Sequence, residues 1–329
     1  MVNRMKVCVI TFVIAACLLV PFFGGCAARQ RAVSLYVDAV MLNEQKQYDQ
    51  AVEKLNAAVE LNKDFTLSYS LLGEIYRQMQ QYEKSADAYE AATVLNPWSF
   101  EDYFNLGGVR QVMKKFVLAV KAYVKACELR PDHLQAHINT AQCYYELRDY
   151  NRALMYCEQA ERINPNQSRV QDLAGEIYEQ QKNYEMAIRS YKRSLEVDSN
   201  NPDVMVSLAV AYLKTNRNEP AKELLVSALE IQPRNSTAYQ YLGYCYLRLE
   251  NVEKAIDSYS RSIEIDDRDW EAHRGLGVAY ILKAINSKDQ AEKTQLRERA
   301  LKQWQVSLDI KPDQPRRERL LKLIEKYSG

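Results

Sequence analysis

The chain has 329 residues, of which 47% are hydrophobic and 26% charged, with only 10 Gly and 9 Pro, a composition that favours helix and excludes a disordered chain. Its 44 basic residues face 43 acidic ones, a formal charge of +1, with no long block of either sign. Nothing in that balance draws in nucleic acid or an anionic surface from a distance, so partners must be recognised locally.

Residues 1–25 carry Arg4 and Lys6 and no acid, run through an apolar stretch from Val7 to Phe23, and end at Gly24-Gly25. That is the pattern of a secretory signal. The apolar run falls short of the about 20 residues that a hydrocarbon core of ~30 Å requires, and no basic stop-transfer flank follows it. The segment Phe23-Gly24-Gly25-Cys26 resembles a bacterial lipobox, with Phe23 where that family usually has Leu. The resemblance implies that the Cys26 thiol takes a diacylglycerol, that cleavage makes Cys26 the first residue, and that its amine is then acylated. An uncleaved signal anchor and an ordinary cleaved signal are the alternatives. By the sorting habit of enteric-type bacteria, Ala27 implies the periplasmic face of the outer membrane. Three acyl chains exceed the two signals that stable anchoring takes. Residues 26–31 are expected to form a short tether reaching about 20 Å at ~3.4 Å per extended residue.

Beyond the leader the chain repeats. Ala51, Ala119, Ala153, Ala187, Ala221 and Ala255 lie on a period of 34, with Ser85 filling the gap, and Pro97, Pro131, Pro165 and Pro233 share that period. Gly73, Gly107, Gly175 and Gly243 stand twelve places before the Ala or Ser slot, and Tyr76, Tyr144, Tyr178, Tyr212, Tyr246 and Tyr280 follow the Gly slot by three. Within a unit, apolar or small residues recur at helical spacing in two stretches. A polar link such as Gln80-Gln81 or Arg148-Asp149 separates them, which predicts an antiparallel pair of amphipathic helices. One such hairpin cannot bury both faces, so units must stack.

Leu72-Gly73 with Tyr76, Ser85, Tyr89, Ala92 and Pro97, and Leu242-Gly243 with Tyr246, Ala255, Tyr259 and Ser262, resemble the tetratricopeptide repeat. The resemblance implies an all-α, right-handed superhelical solenoid of about eight helix-turn-helix hairpins and a C-terminal capping helix. The units fall at 32–65, 66–99, 100–133, 134–167, 168–201, 202–235, 236–269 and 270–314. The last is longer by eleven, because its Ala slot is Ala300 and its Pro is Pro312. The insert region Asn286 to Arg299 is rich in Lys, Glu, Gln and Arg, and Ser287 followed by Gln290 resembles a capping box. It predicts a lengthened hairpin projecting from the stack, either a contact site or plain surface variation. Residues 315–329 read as the cap, with Leu320, Leu321, Leu323, Ile324 and Tyr327 on one side.

No motif carries catalysis, and no cofactor is expected. Gly73, Gly107, Gly175, Gly243 and Gly277 sit at the helix-crossing slot, and no Gly belongs to a phosphate loop, a dinucleotide fingerprint or a nucleophile elbow. His133 and His137 could share a helix face, but no third ligand lies near them in sequence, so no metal is expected. Cys127, Cys143, Cys157 and Cys245 occupy helix positions where other units carry small residues and read as core. An oxidising compartment would permit a bridge, Cys143 with Cys157 being the pair within one hairpin.

In the family resembled, the first helix of each unit lines a concave groove with its positions 2, 5, 9 and 12. Transferred here, those positions give an acidic stripe, Asp172, Glu176 and Glu179 with Arg169 beside them, on one helix face. They also give an apolar trough of Val206, Val210, Leu213, Tyr244, Leu247, Val278 and Ile281. The plain alternatives are a solvated face for the carboxylates and stacking contact between units for the apolar residues. The Lys and Asn clamp of chaperone-binding relatives is missing, its slots holding Val40, Glu74 and Gly108. The function implied is a non-enzymatic, membrane-tethered scaffold or adaptor whose groove holds a segment of a protein or peptide partner. The alternative is an assembly or pilotin-like factor for an outer-membrane secretion or pilus system, acting through its convex face and inserted hairpin. Neither nucleic acid nor a small-molecule substrate is expected.

Overall fold

The computed structural model describes residues 25–328, with side chains from residue 27 onward, so the predicted leader and the Cys26 thiol lie outside the described residues. Among the described residues there are seventeen α-helices and no strand. The chain divides into two compact units after Ile163. The first holds α1 (Gly25–Glu44), α2 (Tyr48–Leu61), α3 (Thr66–Gln78), α4 (Tyr82–Leu95), α5 (Phe100–Val112), α6 (Phe116–Leu129), α7 (Leu134–Glu146) and α8 (Tyr150–Ile163). The second holds α9 (Ser168–Gln180), α10 (Tyr184–Val197), α11 (Pro202–Lys214), α12 (Asn218–Ile231), α13 (Ser236–Arg248), α14 (Val252–Ile265), α15 (Trp270–Asn286), α16 (Gln290–Ile310) and α17 (Arg317–Ser328). Helices pair as A and B arms of hairpins, α1 with α2 through α15 with α16, and within each unit every B arm packs on the next A arm.

Local backbone chemistry sets the register. Seven A helices end on a residue in the left-handed region, Lys46, Gln80, Lys114, Arg148, Lys182, Asn216 and Glu250, with φ between 57° and 60°. The next amide then reaches back to close the helix end, as Gln81 N–H does onto the Tyr76 carbonyl at 2.8 Å. Side-chain caps open the A arms: Asn201 accepts from Val204 N–H at 3.2 Å and Asn235 from Ala238 N–H at 2.9 Å. The periodic Ala residues at the hairpin contact are fully buried. Ser85 breaks that period without breaking the packing, because its hydroxyl donates to the Gly73 carbonyl at 2.6 Å across the same contact.

Three expectations are corrected. Residues 26–31, expected as an extended tether, are the opening turns of α1. At 1.5 Å per residue they rise about 9 Å rather than about 20 Å. The insert in the last hairpin is taken up by both arms, the lengthened hairpin that the sequence predicts. It lengthens α15 to 17 residues and α16 to 21, where ordinary arms have 13 and 14, so four and seven added residues account for all eleven. The cap of α16 is Asp289 rather than Ser287, with Ala291 N–H donating to Asp289 Oδ1 at 2.9 Å, while the Ser287 hydroxyl donates to Glu292 Oε2 at 2.6 Å. On α17, Leu320 is buried but Leu321 is 37% exposed, so the apolar side is narrower than the sequence suggests. No described helix is long and apolar enough to cross a membrane.

Candidate functional site

The predicted groove residues all belong to the second unit, on the A helices α9, α11, α13 and α15. Their accessibilities separate them into two groups. Val206, Val210 and Leu213 on α11 are 8%, 8% and 7% exposed and belong to the unit's main apolar cluster, against which Tyr178, Tyr239, Tyr241 and Tyr246 pack. Ile281 is likewise buried, in the cluster around Trp304. These four are core, not groove lining. Consecutive A helices, α11 with α13 and α13 with α15, also touch each other directly. Of the apolar set, Tyr244 remains exposed, and Leu247 and Val278 are half-buried.

The polar set is arranged around α9. Arg169 is exposed and lies 3.8 Å from Glu176, while Asp172 is buried. Burial raises the Asp172 carboxyl above its ordinary value, against the opposing pull of Ser194 and Arg169, and its Oδ1 has no hydrogen-bond partner. Glu179 is half-buried, and burial raises it too, opposed by the Tyr191 hydroxyl and by Lys214. The Tyr191 hydroxyl, from the B arm of the same hairpin, donates to Glu179 Oε2 at 3.2 Å.

That contact recurs in the first unit, where the Tyr123 hydroxyl donates to Gln111 Oε1 at 2.9 Å and accepts from Asn139 Nδ2 at 3.1 Å. The B-arm tyrosine therefore orients position 12 of the A helix from behind. Sequence reasoning missed this role, although the fixed separation of twelve between Gln111 and Tyr123, and again between Glu179 and Tyr191, carries it. Further along the second unit, Gln240 on α13 donates to Glu271 Oε2 on α15 at 3.2 Å. Burial and the carboxylates of Glu271 and Glu179 together raise the Tyr241 phenol. The face thus presents fixed carboxylates, one exposed guanidinium and one exposed aromatic ring.

The histidines and cysteines have structural places. His133 caps α7 by accepting from Ala136 N–H at 3.2 Å and packs on the Phe100 ring at 4.6 Å, and His137 pairs with the Pro131 carbonyl at 2.9 Å. Among the described residues no group of His, Cys, Asp and Glu is placed to hold a metal. Cys127, Cys143, Cys157 and Cys245 are buried and form no disulfide, and burial pushes Cys143 and Cys245 up to about 12, which leaves those two as inert thiols at neutral pH.

Stacked helical hairpins with a fixed A-arm face define the class of α-helical repeat scaffolds. Models described as tetratricopeptide repeat match residues 113–177 and 178–243, residues 236–269 and residues 67–97. These matches together span more than half of the chain, which belongs to the tetratricopeptide repeat family. No curated protein matches it. Among solved structures, the C-terminal part of a TPR repeat-containing protein from Cytophaga hutchinsonii is similar, at 19% identity and a TM-score of 0.62, over 73% of this chain and 99% of that one. PilF of Pseudomonas aeruginosa is similar at 21% identity and 0.53, over 63% and 94%. YrrB, a TPR protein with an unusual peptide-binding site, is similar at 22% identity and 0.51, over 63% and 99%. At these identities the likeness is one of fold.

Proposed function

We propose that this TPR protein is a lipid-anchored scaffold of the bacterial cell envelope, held through Cys26 on the periplasmic face of the outer membrane, whose A-helix face binds a segment of a partner protein. The observation that carries the reading is the state of that face on α9 and α13. Glu176 and Glu179 are half-buried carboxylates, Glu179 held by Tyr191 from behind, and Tyr244 is a large aromatic left 42% exposed. Pre-oriented carboxylates favour a Lys or Arg on the partner, and Tyr244 with the edges of Leu247 and Val278 favours an apolar side chain. That YrrB, of the same fold, has a peptide-binding site supports the choice of a peptide segment as ligand. Confinement to a membrane surface raises local concentration, so micromolar affinity suffices.

The test is crosslinking and recovery of partners from the protein's own membranes, run with wild type, Tyr244→Asp and the Glu176→Lys/Glu179→Lys double variant. Loss of the same partner in both variants supports the reading, and full recovery by both removes the A face as the site. Metabolic labelling with an alkyne fatty acid tests the anchor, which Cys26→Ser must abolish. A second reading, an assembly factor that works through the long hairpin, draws on Leu282 and Ile285, 36% and 61% exposed near the end of α15. Replacing both by Ser would then remove the partner while the A-face variants keep it.

A further inference from the structure

The unit 66–99 departs from its seven counterparts at three places. The slot filled by Val94 holds Glu in five other units, Arg162 in another and Asp309 in the last. The slot of Trp98 holds Asp, Asn or Arg in all seven others. The slot of Leu67 holds Val33 in the first unit and a polar or charged residue in the remaining six. All three apolar side chains face water, Leu67 at 42%, Val94 at 74% and Trp98 at 79% exposure. An indole that open, where every other copy is polar, is not explained by packing within the stack.

The three residues share one edge. Leu67 is the second residue of α3, Val94 the penultimate residue of α4, and Trp98 lies in the link from α4 to α5. In antiparallel hairpins the amino ends of the A arms and the carboxyl ends of the B arms gather at the same side of the stack. The amino end of α1 is an A-arm start as well, so the chain enters this unit from that edge. The helix begins at Gly25, seven residues ahead of the regular start at 32, which at 1.5 Å per residue carries it about 10 Å past the edge. Arg29 and Arg31 are exposed on that extension, Cys26 is its second residue, and the apolar run from Val7 to Phe23 precedes it in sequence.

We propose that the edge bearing Leu67, Val94 and Trp98 rests in the headgroup layer of the membrane to which the amino end is anchored. The inference rests on the lipid-anchor reading above. A lipid surface is the occupant because the anchor point stands within about one headgroup layer of this edge. Trp is the side chain that gains most from an interface, with its ring among acyl carbons and its N–H among polar heads. Arg29 and Arg31 complement anionic heads, and the exposed Asp64 and Asp132 of the neighbouring links limit the contact to a shallow one around Trp98.

The test uses the full chain purified from its membranes and reconstituted in vesicles of phosphatidylcholine with a minority of phosphatidylglycerol, whose acyl chains are brominated near the glycerol. Of the three tryptophans, Trp304 is buried and Trp270 half-buried, which leaves Trp98 as the exposed indole. The wild type is expected to lose roughly a third of its emission, the share of one indole in three. The Trp98→Phe variant should lose none. Equal quenching in both, or none in either, overturns the proposal. So does an unquenched Trp98 whose replacement by Asp abolishes self-association or recovery of a protein partner, since the edge is then a protein contact. The mass of the N-terminal peptide reports the anchor separately. An acylated Cys26 without Trp98 quenching sinks the docking edge and leaves the anchor standing. An unacylated Cys26 with Trp98 quenched on the vesicle-bound fraction sinks the anchor and leaves the edge.

Discussion

The backbone of Gly175 lies directly beneath the ring of Tyr191, where a Cβ on the glycine would come within 2.5 Å of Tyr191 Cε1. The same pairing joins Gly73 to Tyr89, Gly107 to Tyr123, Gly243 to Tyr259 and Gly277 to Trp304. The other three hairpins have Ala at the crossing, and there the corresponding B-arm residue is smaller: Ala39 with Leu55, Ala141 with Cys157, Ala209 with Leu225, all buried. Size is exchanged within each pair so that every hairpin closes to a similar depth, as a close-packed interior requires.

Gly175→Ala should therefore destabilise the second unit by about 1–3 kcal/mol, the cost of overpacking, despite the better helix propensity of Ala. Combining it with Tyr191→Leu recreates the native Ala209/Leu225 arrangement. The double variant should be more stable than the sum of the two single changes implies, by at least about 0.5 kcal/mol of coupling. Urea denaturation of the four proteins measures it, and strict additivity would show that the pairing carries no energy.

The left-handed residues at the hairpin turns lead to a second expectation. Lys114 and Lys182 hold φ of 57° and 59°, a conformation that costs a side-chain-bearing residue about 1–2 kcal/mol, whereas Gly takes it freely. Because Gly also loses more entropy on folding, Lys182→Gly should stabilise by a net of about 0.5 kcal/mol. The measurement is the thermal midpoint. A lower midpoint would mean that the Lys182 side chain matters more than its backbone.

The period of 34, the hairpin and the stacked core were all legible, because Ala, Gly and Tyr slots recur where the arms must touch. The crossing rule went unread, although each crossing Gly is matched by an aromatic residue 16 positions later, or 27 across the insert. Which A-face positions stay open was not legible. Val210 occupies the same slot as Glu176 and Tyr244, yet it is covered with Val206 and Leu213 in a cluster against which Tyr178, Tyr239, Tyr241 and Tyr246 pack. The turn residues were equally silent, since Lys, Gln, Arg, Asn and Glu stand where a Gly would have announced the stop. The insert showed its length but not its division between α15 and α16, which depends on where Asp289 can cap.

Removing the added turns should leave the stack intact. Deleting 283–286 from α15 and 290–296 from α16 restores arms of the ordinary lengths seen in α13 and α14. It also removes Ala284 and Leu296 together, both buried within the extension. Four residues rotate a helix by about 400° and seven by about 700°, so the faces below the cut return to register within about 40°. Gly277 and Trp304 stay paired on the retained side. The thermal midpoint should fall by no more than a few degrees, corresponding to about 1 kcal/mol. Collapse of the cooperative transition would show that the extension nucleates the last hairpin instead of decorating it.

Asp172 supplies the pH dependence. Burial is the largest influence on its carboxyl and raises it, the neighbouring Asp198 adds to the rise, and Ser194 and Arg169 oppose it. A carboxyl whose folded pKa stands above its unfolded value binds its proton more tightly in the native state, so its ionisation costs stability. That cost is absent below the unfolded value of about 3.9, grows as pH rises through the folded one, and is complete above it. Asp172→Asn keeps the shape and removes the charge. The variant should be more stable than wild type by about 1 kcal/mol at neutral pH and indistinguishable from it at the acid end. Denaturation midpoints of both proteins across that range decide the matter. A stability difference independent of pH would show that Asp172 is held by its neighbours as a satisfied anion and that its burial carries no electrostatic cost.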